Sequence, residues 1–211
     1  MNKYQITFQT WNKIASLYQK VFMDLDIYND TYDAFCQKIT KNHPRILEIG
    51  CGPGNITKYI LSKRHDFDVV AIDVAPNMIN LAQKNNPTAD CRVMDCRNID
   101  ELNKKFDAII CGFCMPYLSK EDCSKLIKDA AFLLEKGGQI YFSTIEGNYS
   151  KSGYEKGSTG DQCFVYYYQA AYLKKILLDN HFEKIEIIKK PFTKSNGTKE
   201  VHLVFMAEKN V

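Results

Sequence analysis

No stretch of the 211-residue chain reaches membrane-spanning length, since a helix needs about 20 consecutive apolar residues to cross a bilayer. The first twenty residues contain no apolar segment of the signal-peptide kind. Internal repeats, low-complexity tracts and Pro/Ser-rich linkers are also missing, so the chain reads as one domain with an N-terminal extension. An excess of charge of one sign is absent too. Lysine and arginine number 28 against 25 aspartates and glutamates, a net charge of +3. A protein that neutralises phosphates carries a denser basic face, so the balance argues against a nucleic-acid partner.

Eight cysteines stand out against this background. A secreted disulfide scaffold would be shorter and preceded by a leader, so the expectation is free thiols in a reducing cytoplasm. Tyrosine (13) and phenylalanine (12) far outnumber tryptophan (1).

Trp11, Ile14, Ala15, Tyr18, Val21, Phe22 and Leu25 recur at helical spacing and predict a helix over 8–25. A second helix is expected over 28–41, stopping before Pro44, because proline disfavours helix in its predecessor. From residue 45 the pattern alternates. Short apolar strands are expected at Arg45–Ile49, Asp68–Asp73, Cys91–Met94, Phe106–Ile110 and Gln139–Ile145. Helices fall between them, over 55–64, from Pro76, and from a capping box at Ser119–Asp122, the last ending at Gly137-Gly138. Such βαβ units imply a mostly parallel sheet. Glu183–Lys190 and Val201–Glu208 read as two strands joined across Ser195–Thr198, where Asn196-Gly197 is a hairpin signal, so the last strand should run antiparallel. Residues 146–165 are polar, Gly-rich and too long for a simple connection, and their aromatic anchors suggest a lid.

The central motif runs from Ile46 to Thr57, a strand leading through Gly50, Gly52 and Gly54 into a helix. Closely spaced glycines let the backbone turn sharply and let a ligand approach closer than a Cβ permits. In open parallel sheets, ligands bind beyond the carboxyl ends of the strands. The spacing is G-x-G-x-G, with Asn55 where a dinucleotide fingerprint has its third glycine, and no Gly-Lys-Ser/Thr ends the loop as a Walker motif requires.

This segment resembles the first motif, E/D-x-G-x-G-x-G, of the class I S-adenosylmethionine-dependent methyltransferases, and motif order follows that family over about 43–145. The resemblance implies an α/β, Rossmann-like fold: a mostly parallel seven-stranded sheet with helices on both faces and an antiparallel C-terminal strand. It implies S-adenosyl-L-methionine as cofactor and S-adenosyl-L-homocysteine as product. Asp73 matches the acid that accepts hydrogen bonds from both ribose hydroxyls, followed by Val74. Asp95 matches the third-strand acid that holds the adenine amino group, with the backbone N–H of Cys96 on the ring. Met78 matches an apolar neighbour of the adenosine. Glu48 would hold the glycine loop or the methionine amino group, and Cys51 and Cys111 lie on the expected rim. Cys111, Gly112 and Phe113 would border the methionine portion, and Tyr18, in Ala15–Tyr18, would cover the cofactor.

Departures from the family are informative. After the fourth strand the chain reads Cys111–Cys114 where DNA amino-methylating enzymes carry Asp/Asn-Pro-Pro-Tyr/Phe, and Pro116-Tyr117 stand where many small-molecule enzymes have two histidines. No catalytic base is therefore assigned; Tyr117, Tyr149 and Tyr154 are the candidates. Cys111 and Cys114 form C-x-x-C without a second ligand pair, so no metal site is expected. The expected division is an N-terminal helical extension (1–42), a cofactor-binding core (43–145), a substrate lid (146–167) and a C-terminal helix and hairpin (168–211). The leading reading is a small-molecule methyltransferase; a cofactor-binding regulatory protein and an RNA or protein methyltransferase are the alternatives.

Overall fold

The apolar strand β1 (Arg45–Ile49) lies at the centre of the sheet, with β2 (Asp68–Asp73) on one side and β4 (Phe106–Cys111) on the other, both parallel to it. The computed structural model describes residues 2–194 and 196–210. Beyond β2 comes β3 (Asp90–Val93), and beyond β4 come β5 (Leu134–Ile145), β9 (Lys199–Lys209) and β8 (Phe182–Thr193), giving the order β3-β2-β1-β4-β5-β9-β8. The pairings β5–β9 and β8–β9 are antiparallel and the rest parallel. The seven-stranded α/β sheet expected from the sequence is thus present.

Near-continuous burial along β1, β2 and β4 has a simple cause: helices cover both faces. Leu47, Ile49 and Ile109 face the core shared with α5 (Lys120–Leu133) and α6 (Ala170–Asp179). Ile46, Ala71 and Ile110 face the core shared with α2 (Asn29–Lys38), α3 (Asn55–Lys63) and α4 (Pro76–Asn85).

The first helix, α1, spans Lys3–Phe22, starting five residues before the expected 8 and stopping short of 25. Asn2 and Gln5 form a reciprocal capping box that the apolar periodicity does not show. Val21, expected on the apolar face, is exposed, whereas Thr7 and Thr10 are buried. Helix α2 ends at Lys38 rather than 41, and β3 begins one residue early. Ser119 caps α5 as expected, accepting from the Asp122 N–H. That helix ends at Leu133, not at Gly137-Gly138. Leu134 already pairs with Phe106, and the glycines sit in an irregularity of β5, with Gly137 at φ +76°.

Residues 146–165 are not a featureless loop. They hold a 3₁₀ turn (Tyr149–Lys151) and an antiparallel hairpin of β6 (Gly153–Lys156) and β7 (Gln162–Val165). The C-terminal hairpin forms as expected, although Ser195 within its turn lies outside the described residues.

Helix α1 lies between α4 and the small hairpin. Asn12 takes the Asn77 backbone N–H at 2.9 Å, and Gln19 accepts from Asn85 at 2.8 Å. On the other side Thr10 donates to the Gln162 carbonyl at 2.9 Å, Thr7 accepts from the Phe164 N–H at 3.0 Å, and Lys13 pairs with Asp161. Among the described residues no helix is long and apolar enough to cross a membrane.

Candidate functional site

Where β1 ends, the chain turns through three left-handed glycines, Gly50, Gly52 and Gly54, at φ +70°, +54° and +81°. Two of them are also sterically required. A Cβ on Gly50 would stand 2.9 Å from Cys114 Cβ, and one on Gly54 would stand 2.3 Å from Asn86 Nδ2. The loop is fastened to β2: the N–H groups of Gly50 and Cys51 both donate to the Ile72 carbonyl.

Asp73, at the end of β2, accepts the Gly52 N–H at 2.9 Å on Oδ2 and the Ala75 N–H at 2.8 Å on Oδ1. Burial makes it a weaker acid than an ordinary aspartate, opposed by these backbone donors. Glu48 is almost fully buried (1% exposed). Its Oε2 accepts from the Thr57 hydroxyl of α3, so the carboxyl ties strand to helix across the loop. Its Oε1 has no partner among the described residues. Burial pushes the Glu48 carboxyl up to about 8, with the Thr57 bond opposing and the Asp73 charge reinforcing the rise.

A cleft opens beyond the carboxyl ends of β1, β2 and β4, where parallel sheets bind ligands. Gly50, Gly52, Asp73, Val74 and Met78 line it on one side. Asp95, Cys96, Gly112, Phe113 and Tyr117 line it on the other, and Tyr18 and Trp11 roof it from α1. Its volume is ≈ 110 Å³, below the roughly 300–1,000 Å³ of ordinary small-molecule sites. A larger hollow of ≈ 250 Å³ between α2 and α3 lies away from the strand ends. It has no such convergence of glycine loop, carboxylates and aromatic rings.

Several expected residues lie elsewhere. Cys51 and Cys111 are buried (2% exposed) and do not line the cleft, because both side chains turn into the core. Gly54 is buried as the cap of α3, and Glu48 lies beneath the loop rather than on the cleft wall. Tyr149 packs against Tyr166 and Tyr168, with the Lys120 ammonium 4.5 Å from its ring centre. Tyr154 is exposed and meets Phe164 edge-on. Neither of these two tyrosines lines the cleft. Tyr117 does, but burial holds its hydroxyl well above the usual tyrosine range, so it is a neutral phenol at physiological pH.

The structure also supplies partners that spacing alone does not. Asp95 is engaged by Arg97, whose Nε stands 3.0 Å from Oδ1 and whose Nη2 stands 2.5 Å from Oδ2. Burial raises the Asp95 carboxyl, but Arg97 outweighs it and holds the group below its usual range. Cys114, read in the sequence as half of a C-x-x-C with Cys111, lies beside Cys111 and also faces Cys96, with the Cys96 and Cys114 sulfurs 3.6 Å apart at the cleft wall. Trp11 packs edge-on against both Tyr18 and Tyr117, and its buried Nε1 has no partner among the described residues.

The family model described as "Methyltransferase domain" matches residues 46–138. A putative methyltransferase 235L of Invertebrate iridescent virus 6 is 33% identical over 96 residues, 46% of this chain and 35% of that protein. The ubiquinone biosynthesis O-methyltransferase of Coxiella burnetii is 28% identical over 117 residues, 54% of this chain and 48% of that protein. The chain therefore spans less than half the length of these curated relatives in its matches. Among solved structures, magnesium protoporphyrin IX methyltransferase from Synechocystis, with bound SAM, superposes with a TM-score of 0.70 at 17% identity. That match covers 100% of this chain and 98% of the other. The 1,6-didemethyltoxoflavin-N1-methyltransferase of Burkholderia thailandensis gives 0.73 at 16% identity, covering 98% and 88%. At these identities the likeness is one of fold.

The residues present fit S-adenosylmethionine. Each Asp73 oxygen holds one backbone N–H and keeps a second acceptor site for a hydroxyl. The unpartnered Glu48 Oε1 is an acceptor of the kind a buried ammonium needs. The aromatic faces of Trp11, Tyr18, Phe113 and Tyr117 suit a sulfonium.

Proposed function

We propose that this chain, a member of the class I S-adenosylmethionine-dependent methyltransferase family, moves a methyl group to a small-molecule acceptor in a single in-line displacement. The observation that carries the reading is the convergence of the glycine loop, Asp73 and an aromatic roof on one cleft. In this reading Asp73 takes the ribose hydroxyls, Asp95 and the Cys96 N–H take the adenine, Met78 and Val74 flank the rings, and Glu48 and Tyr18 attend the methionine end. The cofactor, when bound, supplies an electrophilic methyl group; the chain supplies binding, orientation and exclusion of water.

Orientation is the larger contribution. Holding two reactants as near-attack partners is worth up to about 7–11 kcal/mol, and it requires no covalent enzyme intermediate. Trp11, Tyr18, Phe113 and Tyr117 give the reacting centre apolar walls, which suit a transition state that disperses positive charge. The narrowness of the cleft supports a roof that yields on binding. Helix α1, carrying Trp11 and Tyr18, is held to α4 and the hairpin mainly by side-chain hydrogen bonds rather than by sheet pairing. Residues 146–167 then serve as a structured brace for that roof and as the substrate lid.

A small acceptor is supported by the modest charge and the enclosed, aromatic cleft. The relatives named for ubiquinone biosynthesis and toxoflavin N-methylation point the same way. Incubating the full chain with labelled S-adenosylmethionine and separate small-molecule, RNA and protein fractions tests the reading. Label in the small-molecule fraction supports it; label only in RNA or protein overturns the choice of acceptor class. Cofactor binding without label in any fraction favours a regulatory cofactor-binding protein.

A further inference from the structure

Against Phe113 lies a buried polar cluster that the cofactor reading does not use. The Tyr28 hydroxyl stands 2.5 Å from His202 Nδ1, and His202 Nε2 stands 3.5 Å from Glu200 Oε2. Tyr28 is 4% exposed and His202 5%. Lys194 pairs with Glu200 and, at 2.8 Å, with Glu155 of the β6–β7 hairpin. The cluster is thus anchored to the segment read as the lid.

The hydrogen-bond pattern fixes the imidazole. With a carboxylate facing Nε2, that nitrogen carries the proton, and Nδ1 is free to accept from the tyrosine hydroxyl. A hydroxyl, an imidazole and a carboxylate in line form an arrangement that takes up a proton and stabilises the resulting imidazolium. Burial lowers the basicity of His202 while Glu200 restores part of it, so the ring rests neutral and able to receive. Other charged or titratable groups around the cluster include Lys194, Glu155 and Lys190, the last being the cross-strand neighbour of His202 and paired with Asp30, and Tyr18, Tyr32 and Tyr141 on the Tyr28 side.

Phe113 stands between this cluster and the cleft. Its ring centre is 4.7 Å from that of His202 and 5.1 Å from that of Tyr28, while Phe113 itself lines the cleft. It holds φ +55°, a left-handed conformation that costs a bulky residue energy, and its N–H donates to Ser143 Oγ at 2.9 Å. Phe192 stacks on the far face of His202 at 4.6 Å. The surroundings of the relay are therefore aromatic.

We infer that Tyr28, His202 and Glu200 form the proton-accepting arm of the site, reached when Phe113 turns aside, and that the acceptor is a planar phenol or enol. The inference rests on the cofactor reading above. A neutral amine attacks without prior loss of a proton, and a thiol ionises close to neutrality, whereas a phenol gains from a positioned base of imidazole strength. The acceptor O–H bond breaks as its proton passes to the Tyr28 oxygen, and the Tyr28 proton passes to His202 Nδ1. The acceptor oxygen uses the electron pair left behind to bond the methyl carbon, whose bond to sulfur breaks to leave a neutral thioether. Glu200 faces the imidazolium, which returns its proton to solvent after product leaves.

The test uses 4-nitrophenol, whose visible absorbance reports its ionisation, added to the full chain in the presence of S-adenosylhomocysteine. Expected is binding as the phenolate at a pH below its free ionisation range, with a shift of the His202 imidazole signals in nitrogen–proton correlation spectra. His202→Gln and Tyr28→Phe should each weaken this binding by about tenfold or more, with affinity for S-adenosylhomocysteine unchanged. Two variants guard against a folding defect in either one. Normal S-adenosylhomocysteine binding together with no 4-nitrophenol binding, or with 4-nitrophenol binding that both variants retain, overturns the inference and leaves the cofactor reading standing. Failure of the folded wild-type chain to bind S-adenosylhomocysteine overturns both.

Discussion

Gly52 donates its backbone N–H to Asp73 Oδ2 at 2.9 Å, so the glycine loop after β1 is latched to the end of β2 by the carboxylate proposed to receive the ribose. One residue thus shapes the loop and presents the acceptor. Asp73→Ala removes both functions, and the expected loss of S-adenosylhomocysteine affinity is tenfold or more, from about 1.5–3 kcal/mol per charge-assisted bond. Equilibrium dialysis of the folded variant measures it; unchanged affinity contradicts the assignment.

Glu48 gives a pH-dependent signature. In the free protein burial pushes its carboxyl up to about 8, so it is mostly protonated at neutral pH. Because the folded-state value is raised, this group's contribution to stability is whole below the ordinary carboxylate range of about 4.3. It shrinks as pH rises and is lost through about 8. An ammonium beside Oε1 would reverse the shift, so binding near pH 7 should release up to about one proton. The enthalpy of binding, measured in buffers of different ionisation heat, reports that proton. Glu48→Gln should abolish the release and flatten the stability slope.

Trp11 is the single tryptophan of the chain and roofs the cleft between Tyr18 and Tyr117. Its fluorescence should therefore respond to S-adenosylhomocysteine in a saturable titration. The signal should vanish in Trp11→Phe while calorimetry still detects binding. A flat signal in a wild-type chain that binds would place the ligand elsewhere.

The thiols should divide by position. Cys96 and Cys114 face each other on the cleft wall, whereas Cys51 and Cys111 are buried in the core. Peptide mapping after brief alkylation should show label on Cys96 or Cys114, reduced by S-adenosylhomocysteine, and almost none on Cys51 or Cys111 with or without ligand. Equal labelling of all four contradicts the packing described.

Gly54 combines φ +81° with a Cβ position only 2.3 Å from Asn86 Nδ2 and 3.2 Å from Ala82 Cα. Gly54→Ala should cost at least about 2 kcal/mol, part from the left-handed backbone and part from overpacking. Urea unfolding measures the loss, and an unchanged midpoint would mean that the α3–α4 contact relaxes without cost.

The sheet and the glycine loop were legible because their determinants are local. Apolar runs, turn residues and the spacing of Gly50, Gly52, Gly54 and Asp73 lie close together in the chain. The start of α1 was missed because Asn2 and Gln5 are polar and contribute nothing to an apolar period. Other features depend on topology. Cys96 and Cys114 come from loops after β3 and β4, and Tyr28 meets His202 across 174 residues because β9 runs antiparallel beside β5. The spacing of Cys111 and Cys114 shows one neighbour of the Cys114 thiol, whereas Cys96, from another loop, is visible only in the fold.

The central claim is that the cleft over the glycine loop binds the sulfonium cofactor and its product. Isothermal calorimetry of the full chain with S-adenosylhomocysteine tests it most directly, with circular dichroism confirming that the protein is folded. The account predicts saturable binding at one site per chain, weakened tenfold or more by Asp73→Ala. A folded chain that takes up neither S-adenosylhomocysteine nor S-adenosylmethionine would contradict it.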